Sequence, residues 1–230
     1  MILSIHQPNY LPYLGFFEKA SKSDVFILYD STQFKKNDWQ NRNKICTKNG
    51  WQWISIPVIH NFGQKIYETK IDVNKRPLKS NWQTLKTIYG RAPYFKMYEL
   101  DFERIYNSEY EFICDLSCDL IILISKTLGL KTKFLRSTML GEVQTKSTQA
   151  LIDLCRCVDA DTYISGSEGI NYIQIDLFKM ANINLKFQKF NHPIYTQFNY
   201  KNFIPFMSII DLIFNLGPKS LQILSSGQQY

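Results

Sequence analysis

The sequence lacks any long uninterrupted hydrophobic run. The longest extends from Leu120 to Ile124, whereas a helix needs about 20 apolar residues to cross a bilayer. The apolar stretch at residues 1–5 is too short for a signal peptide and is followed at once by His6, Gln7 and Pro8. We therefore expect no membrane span and a cytoplasmic location.

Histidine is scarce, with three residues in 230, and cysteine occurs five times. An odd cysteine count without a signal peptide is typical of free thiols in a reducing compartment. Cys114 and Cys118 have the spacing that places two residues on one face of a helix, but the histidines are distant from them in sequence. We expect small buried residues there, and we assign no metal ligand.

General catalytic signatures are also missing. The chain contains no Gly-x-Ser-x-Gly, P-loop, dinucleotide fingerprint, zinc or kinase pattern. The net charge of +7 is spread along the chain, without an uninterrupted basic tail. This balance fits either a solvated lysine-rich surface or attraction of an anion such as a nucleotide, a nucleotide-linked sugar or RNA.

Short apolar strands alternate with amphipathic helices along the chain, and this alternation predicts an α/β fold. The expected architecture is a mostly parallel, twisted sheet with helices on both faces, in one domain that spans residues 1–230. Residues 40–106 fit this alternation less well and are a candidate inserted α+β cap lobe. The predicted sheet strands are Met1–Ser4, Asp24–Tyr29, Thr132–Leu135, Thr162–Ile164 and Asn184–Gln188.

Open parallel sheets bind ligands beyond the carboxyl ends of their strands. The predicted strand ends bring His6, Asp30 and His192 to one edge, and we take these three as candidate catalytic residues. A histidine there could act as a general base or polarise a reacting carbonyl, or it could only shape its loop. Asp30 could orient His6 or accept a substrate hydroxyl, or it could form a turn or cap.

Polar and aromatic residues near the same edge are candidate substrate ligands. Arg42 could clamp a phosphate or carboxylate and Trp39 could stack on a sugar or base, although an exposed polar loop would have the same composition. The Ser165–Gly169 loop could hold a phosphate, or it could be a plain capped loop. The full candidate set is Gln7, Asn9, Tyr10, Gln33, Trp39, Asn41, Arg42, Ser165, Gly166 and Tyr195.

Several stretches carry a family resemblance. In order, they are IHQPNYLPYLGFFEKASKSDVFILYDSTQF, WQNRNKI, NGWQWISIPV, APYF, TYISGSEGINY, HPIY and SIIDLIFNLGP. Over nearly its whole length the chain resembles the WbqC-like family, whose members occur in bacterial gene sets for O-antigen, lipopolysaccharide and other surface polysaccharides. The resemblance implies a sugar-tailoring transferase that moves an acyl or aminoacyl group onto the amine of a nucleotide-linked amino sugar.

A weaker similarity concerns the start of the chain. Its first strand, His6 loop, Gly15-x-x-x-Lys19 helix and second strand look somewhat like the start of pantothenate synthetase, which forms an amide through an adenylate. The second loop histidine of that enzyme is missing, because Phe16 follows Gly15. An ATP-dependent amide ligase is thus one alternative, and a non-catalytic nucleotide-sugar or RNA-binding protein is another.

The donor follows from the reaction class rather than from a motif. We expect an activated acyl or aminoacyl donor, with ATP as the alternative, and nucleic acid only as an aminoacyl-tRNA donor. The expected acceptor is a nucleotide-linked sugar.

Overall fold

The fold was analysed in a computed structural model that describes residues 1–141, 143 and 145–226. The first half of the chain contains, in order, β1 (Ile2–His6), α1 (Leu14–Ser21), β2 (Val25–Leu28), β3 (Arg42–Thr47), β4 (Gly50–Ser55), β5 (Val58–Ile59), β6 (Lys70–Ile71), α2 (Pro77–Tyr89) and α3 (Phe95–Tyr106). The second half contains α4 (Ile113–Leu128), β7 (Lys133–Arg136), α5 (Ser147–Cys157), β8 (Thr162–Ser165), α6 (Ile175–Met180), β9 (Asn184–Phe187), α7 (Ile209–Leu216) and α8 (Ser220–Ser226).

A five-stranded parallel sheet organises the fold, in the order β7-β2-β1-β8-β9. The chain builds this sheet outward from β1 in one direction and then, beginning with β8, in the other. This is the doubly wound arrangement, and its strand order reverses between β1 and β8. The predicted α/β class with a parallel sheet is confirmed.

Apolar side chains pack on both faces of the sheet. On one face, Phe26 and Leu28 of β2 join a cluster with α1, α4 and α7. On the other face, Leu3 and Ile5 of β1 join a second cluster with α5 and α6. Because both faces are covered, β2 reads as the continuous apolar run VFIL, as expected for a parallel strand buried on both sides.

The segment between β2 and β7 lies outside the main sheet. It contains the antiparallel hairpin β3–β4, the short antiparallel pair β5–β6, and helices α2, α3 and α4. Its buried residues Ile45, Ile54, Trp82 and Phe102 belong to the same apolar cluster as Phe16 of α1. The hairpin and helices α2 and α3 therefore share a core with one face of the sheet.

Two helical regions differ from what the sequence predicts. Helix α3 was not predicted: its buried positions Phe95, Phe102 and Tyr106 are widely spaced and are interrupted by exposed Met97 and Leu100. The sequence of residues 171–181 predicts a single helix, but in the structure the helix is confined to α6 and a 3-10 helix at Ser167–Asn171 precedes it. No helix in the described part of the chain has both the length and the apolar character needed to cross a membrane.

Candidate functional site

A cleft of about 1420 Å³ opens where the strand order of the sheet reverses. We call it the switch-point cleft. Its walls come from the residues that follow the carboxyl ends of β1, β2, β7, β8 and β9, from the buried face of α1 and from the loop before β6. The lining residues include His6, Gln7, Gly15, Lys19, Gln33, Lys65, Lys146, Ser165, Gly166 and Gln188.

The loop from β1 to α1 is held by the segment that enters the β3–β4 hairpin. The Tyr10 N–H donates to the Trp39 carbonyl at 3.0 Å, and Asn43 Nδ2 donates to the carbonyls of Tyr10 and Leu11 at 3.3 and 2.8 Å. Leu11 has a φ of 46°, a left-handed conformation that its surroundings must stabilise. The hairpin thus fixes the loop that presents His6.

His6 lies at the end of β1 in the wall of the cleft, partly buried. Its Nδ1 is 2.9 Å from the Gln7 carbonyl oxygen, so this nitrogen donates its proton and Nε2 is left as an acceptor. Burial, and then the nearby charge of Lys19, lowers the pKa of His6 to about 3. His6 is therefore neutral at physiological pH and is suited to accept a hydrogen bond.

Lys19 is the most unusual side chain of the cleft. It projects from α1, is only 2% exposed, and donates from Nζ to the Ile5 carbonyl at 3.0 Å, next to His6. Burial lowers the pKa of Lys19 to about 7. A lysine in this state carries a usable fraction of free amine at neutral pH and can take up a proton.

Gly15 lines the cleft at a place where the Tyr13 ring approaches the backbone of α1 closely. It lies four residues before Lys19 on α1, and a Cβ at this position would come within about 2.5 Å of the Tyr13 ring. The Gly15 carbonyl accepts a hydrogen bond of 2.8 Å from Gln188, whose Nε2 also contacts Glu18. A side chain at residue 15 would therefore displace Tyr13 and disturb this wall.

The loop after β8 forms another part of the cleft wall. Ser165 is buried and its Oγ donates to the Gly166 carbonyl at 3.1 Å. A Cβ at Gly169 would lie only 2.0 Å from the Ser165 Oγ, so the loop packs tightly there, whereas a Cβ at Gly166 would meet open space. The backbone at Gly166 is thus open to a ligand at the rim of the cleft.

The cleft has an excess of positive charge. Lys65 lies on the wall beside Tyr67, and Lys146 lies near the start of α5. Neither forms an ion pair within the described residues, and Glu168 is the acidic side chain among the lining residues. Such a lining favours an anionic ligand.

Gln7 and Gln33 also line the cleft. The Gln7 amide is held at both ends: Nε2 donates to Thr32 Oγ1 at 2.9 Å and Oε1 accepts from Gln40 Nε2 at 2.8 Å. Gln33 is exposed and pairs through its backbone with Lys65. Gln33 is accordingly the freer of the two amides.

Asp30 is fully buried and does not line the cleft. Its carboxylate accepts hydrogen bonds from Arg136 and Ser137, each at 2.7 Å. It accepts two more from the backbone and hydroxyl of Thr138, at 3.0 and 2.8 Å. Burial acts to raise the pKa of Asp30, but the hydrogen bonds from Ser137, Arg136 and Thr138 outweigh it and lower the pKa below its usual value. Asp30 anchors the β7 loop, and its oxygens are already engaged.

His192 and Tyr195 lie in a separate region, away from the cleft lining. The His192 ring contacts the Pro193 carbonyl through Nδ1 at 2.8 Å and accepts from the Phe206 N–H through Nε2 at 3.1 Å. The Tyr195 hydroxyl donates to buried Asp211 at 2.9 Å. Both ring nitrogens of His192 are thus used in holding the loop before α7.

Five further candidates lie outside the cleft lining: Asn9, Tyr10, Trp39, Asn41 and Arg42. Buried Tyr10 shares its hydroxyl with Tyr106 at 2.7 Å, and Asn41 donates to the Ile56 carbonyl at 2.9 Å. Asn9 is buried as well. Trp39 is exposed just before the hairpin, and Arg42 is half-buried at the start of β3.

The three cleft lysines, Lys19, Lys65 and Lys146, were not among the predicted site residues. Lys19 had a signal: it is one of two charged residues, with Glu18, on a mostly apolar helix that follows the His6 loop. Lys65 and Lys146 had none, because only the fold brings them to the cleft. Within the described residues no group of three His, Cys, Asp or Glu side chains could hold a metal ion.

The sheet and cleft define an α/β protein with an open cleft at the topological switch point of a parallel sheet, the position at which folds of this class bind ligands. The model of the WbqC-like protein family matches residues 7–223, and the chain belongs to this family. It is 33% identical over 223 residues to the uncharacterized protein Rv1507c of Mycobacterium tuberculosis (strain ATCC 25618 / H37Rv), with 95% of each chain covered. No solved structure matches the chain.

Proposed function

We propose that the protein is a sugar-tailoring transferase that moves an acyl or aminoacyl group onto the amine of a nucleotide-linked amino sugar. The observation that carries the proposal is buried Lys19, with a pKa of about 7, beside neutral His6 in a lysine-rich cleft. The surface-polysaccharide context that the family resemblance implies supports the sugar substrate.

The charge of the cleft suits the diphosphate of a nucleotide-linked sugar. Lys65 and Lys146 are the candidate phosphate partners, with the backbone near Gly166 as a further donor. Binding a dianion there would bring the sugar toward the floor of the cleft, where His6 and Lys19 lie.

Lys19 is the proposed general base. The acceptor amine attacks the carbonyl carbon of the activated donor, a C–N bond forms, and the bond to the donor's leaving group breaks. Neutral Lys19 takes the proton released by the amine and returns it to the leaving group, so that the proton balance closes. His6 has too low a pKa to serve as this base, and we assign its Nε2 the role of accepting a hydrogen bond from the acceptor sugar.

The test is acyl transfer to dTDP- or GDP-linked amino sugars, followed by mass spectrometry of the acceptor. The donors offered are an acyl-CoA thioester, an aminoacyl-tRNA, and a carboxylic acid with ATP. Lys19→Ala should lower kcat/KM by about 10²–10⁴-fold and remove the ascending limb of the pH profile near pH 7. His6→Ala should lower kcat/KM but keep that limb.

The matched control is Lys131→Ala, which removes an exposed lysine outside the cleft. It should leave transfer unchanged. Unchanged transfer in Lys19→Ala would remove the proposed base. Product formation that requires ATP and releases AMP and pyrophosphate would replace the transferase with a ligase acting on the same acceptor.

A further inference from the structure

The outer face of the β3–β4 hairpin carries cations and tryptophans in alternation. Arg42 and Lys44 point outward from β3, Trp51 and Trp53 point outward from β4, and Lys44 lies directly opposite Trp53 in the register. Trp39, just before the hairpin, adds a third ring 5.5 Å from that of Trp53. We call these five residues the tryptophan face.

The rings of this face are exposed to solvent. Trp39 is 42% exposed, Trp51 44% and Trp53 37%, whereas Trp82, the remaining tryptophan of the chain, is buried. Three clustered exposed indoles cost free energy in water, and a cluster of this kind is typical of a binding surface.

The cations of the face are positioned by the rings and lack counter-charges. The Arg42 guanidinium lies 4.2 Å above the Trp53 ring centre, and Lys44 Nζ lies 4.3 Å above that of Trp51. Neither side chain forms an ion pair with a described residue. Residues 35–53 contain five cations and one acid, Asp38, so much of the net charge of +7 is concentrated here.

The face is separate from the switch-point cleft, since none of its five residues lines that cleft. We infer that it binds single-stranded nucleic acid. Arg42 and Lys44 would contact successive phosphates while unpaired bases stack on the exposed indoles, the combination by which such chains are held without sequence preference.

The orientation of the rings favours unpaired bases over other polyanions. Trp39 and Trp53 are inclined at 49°, and Trp51 and Trp53 at 89°, so the three rings do not form one flat platform for a rigid sugar chain. The bases of a single strand rotate independently about the backbone and can meet rings at different angles. A duplex keeps its base faces stacked inside and offers the rings only its edges.

The experiment measures binding of fluorescein-labelled ten-residue oligouridylate by anisotropy, together with the protein's own tryptophan fluorescence. We expect quenching of that fluorescence and a binding constant that falls steeply with salt. Trp51→Ala should weaken binding by about 5- to 150-fold, which corresponds to the loss of one stacked base. Trp51→Phe should retain most of the affinity, because it keeps a stacking ring.

Arg42 and Lys44 allow an independent test, through the salt dependence of binding. The double variant Arg42→Gln/Lys44→Gln should reduce the slope of log K against log salt by about 1.4, the value for two phosphate contacts on a single strand. Lys131→Gln, which removes an exposed lysine elsewhere, should change the slope much less. Circular dichroism of each variant should match that of the parent protein if the hairpin remains folded.

Three outcomes would overturn the inference. The first is no binding of oligouridylate at low salt. The second is binding that is equally tight for heparin and unaffected by Trp51→Ala, which would mark a general polyanion surface. The third is tighter binding of a duplex of the same length. The tryptophan face can be tested independently of the cleft, because Trp51→Ala should leave acyl transfer unchanged.

Discussion

At the residue scale, the cleft depends on one buried amine. Lys19 forms no ion pair within the described residues, and its Nζ is held by the Ile5 carbonyl and lies 5.4 Å from the centre of the Phe26 ring. Burying a cation with so few partners costs free energy, and a lowered pKa is the response. A lysine kept at such a cost is expected to serve the ligand rather than the fold.

The free-energy cost of burying the Lys19 amine predicts how the stability of the protein depends on pH. The pKa of Lys19 is about 7 in the folded protein, whereas a lysine in an unfolded chain titrates near ~10.4. Between these values the unfolded state binds more protons, so the Lys19 contribution to the free energy of unfolding rises with pH. Lys19→Met should therefore be more stable than the parent at pH 6, by on the order of 2–4 kcal/mol, and the gain should shrink toward pH 10.

Urea unfolding from pH 6 to pH 10 measures this difference. Lys131→Met serves as the control, because its lysine is exposed and the variant should follow the parent at each pH. A constant offset between Lys19→Met and the parent would show that the amine is not desolvated in the folded protein.

At the scale of elements, the β3–β4 hairpin has two different faces. Outward residues form the tryptophan face, while inward Asn43 holds the loop that carries His6. Alternation along β3 explains the polar segment Trp39–Lys44: its buried amides are structural, and its half-buried cations lie against the rings of the tryptophan face. One face of the hairpin thus holds the loop that carries His6, and the other face presents a second surface.

Asn43→Ala tests the supporting role. The substitution leaves the carbonyls of Tyr10 and Leu11 without the Asn43 donor in a buried position. The expected cost is about 1–3 kcal/mol in the free energy of unfolding by urea. Because the His6 loop is loosened, kcat/KM for the proposed transfer should fall as well. Asn184→Ala, at an exposed position of β9, should change neither quantity, and a neutral Asn43→Ala would mean that the loop is fixed by other contacts.

At the scale of the whole molecule, the sequence predicted the class of fold well and the site incompletely. Helix α1 and the buried strand β2 follow from local apolar patterns, and the end of helix α4 follows from Gly129, which has a φ of 72°. The position of β1 between β2 and β8 is a long-range property, which no local pattern contains. For the same reason Lys65 and Lys146 could not be assigned to the cleft.

The candidate site residues also divide into those that local sequence patterns place correctly and those whose position depends on long-range contacts. His6 and Ser165 are the last residues of their strands, Gln7 follows directly, and all three line the cleft. Asp30 also follows a strand, but its side chain turns into the protein toward Arg136. The position of a residue after a strand does not predict the direction in which its side chain points. His192 is drawn into a cluster of phenylalanine rings by the chain that follows β9.

The charge of the cleft leads to a prediction for the folded protein as a whole. A nucleoside diphosphate that binds the folded state alone stabilises it by about 2.7 kcal/mol at a concentration of 100 Kd. In a chain of this length each kcal/mol raises Tm by about 2–4 °C. We therefore expect dTDP or GDP to raise the Tm measured by differential scanning fluorimetry, increasingly with ligand concentration.

Variants distinguish the two proposed anion-binding surfaces, the cleft and the tryptophan face. Lys65→Ala combined with Lys146→Ala should reduce the nucleotide-induced shift, since it removes the proposed phosphate partners, while Lys131→Ala should leave the shift intact. Trp51→Ala should also leave it intact, because Trp51 belongs to the tryptophan face and not to the cleft lining. If Trp51→Ala abolished the shift and the double lysine variant did not, the nucleotide would bind at the hairpin, and the cleft would lose its assignment as the nucleotide site.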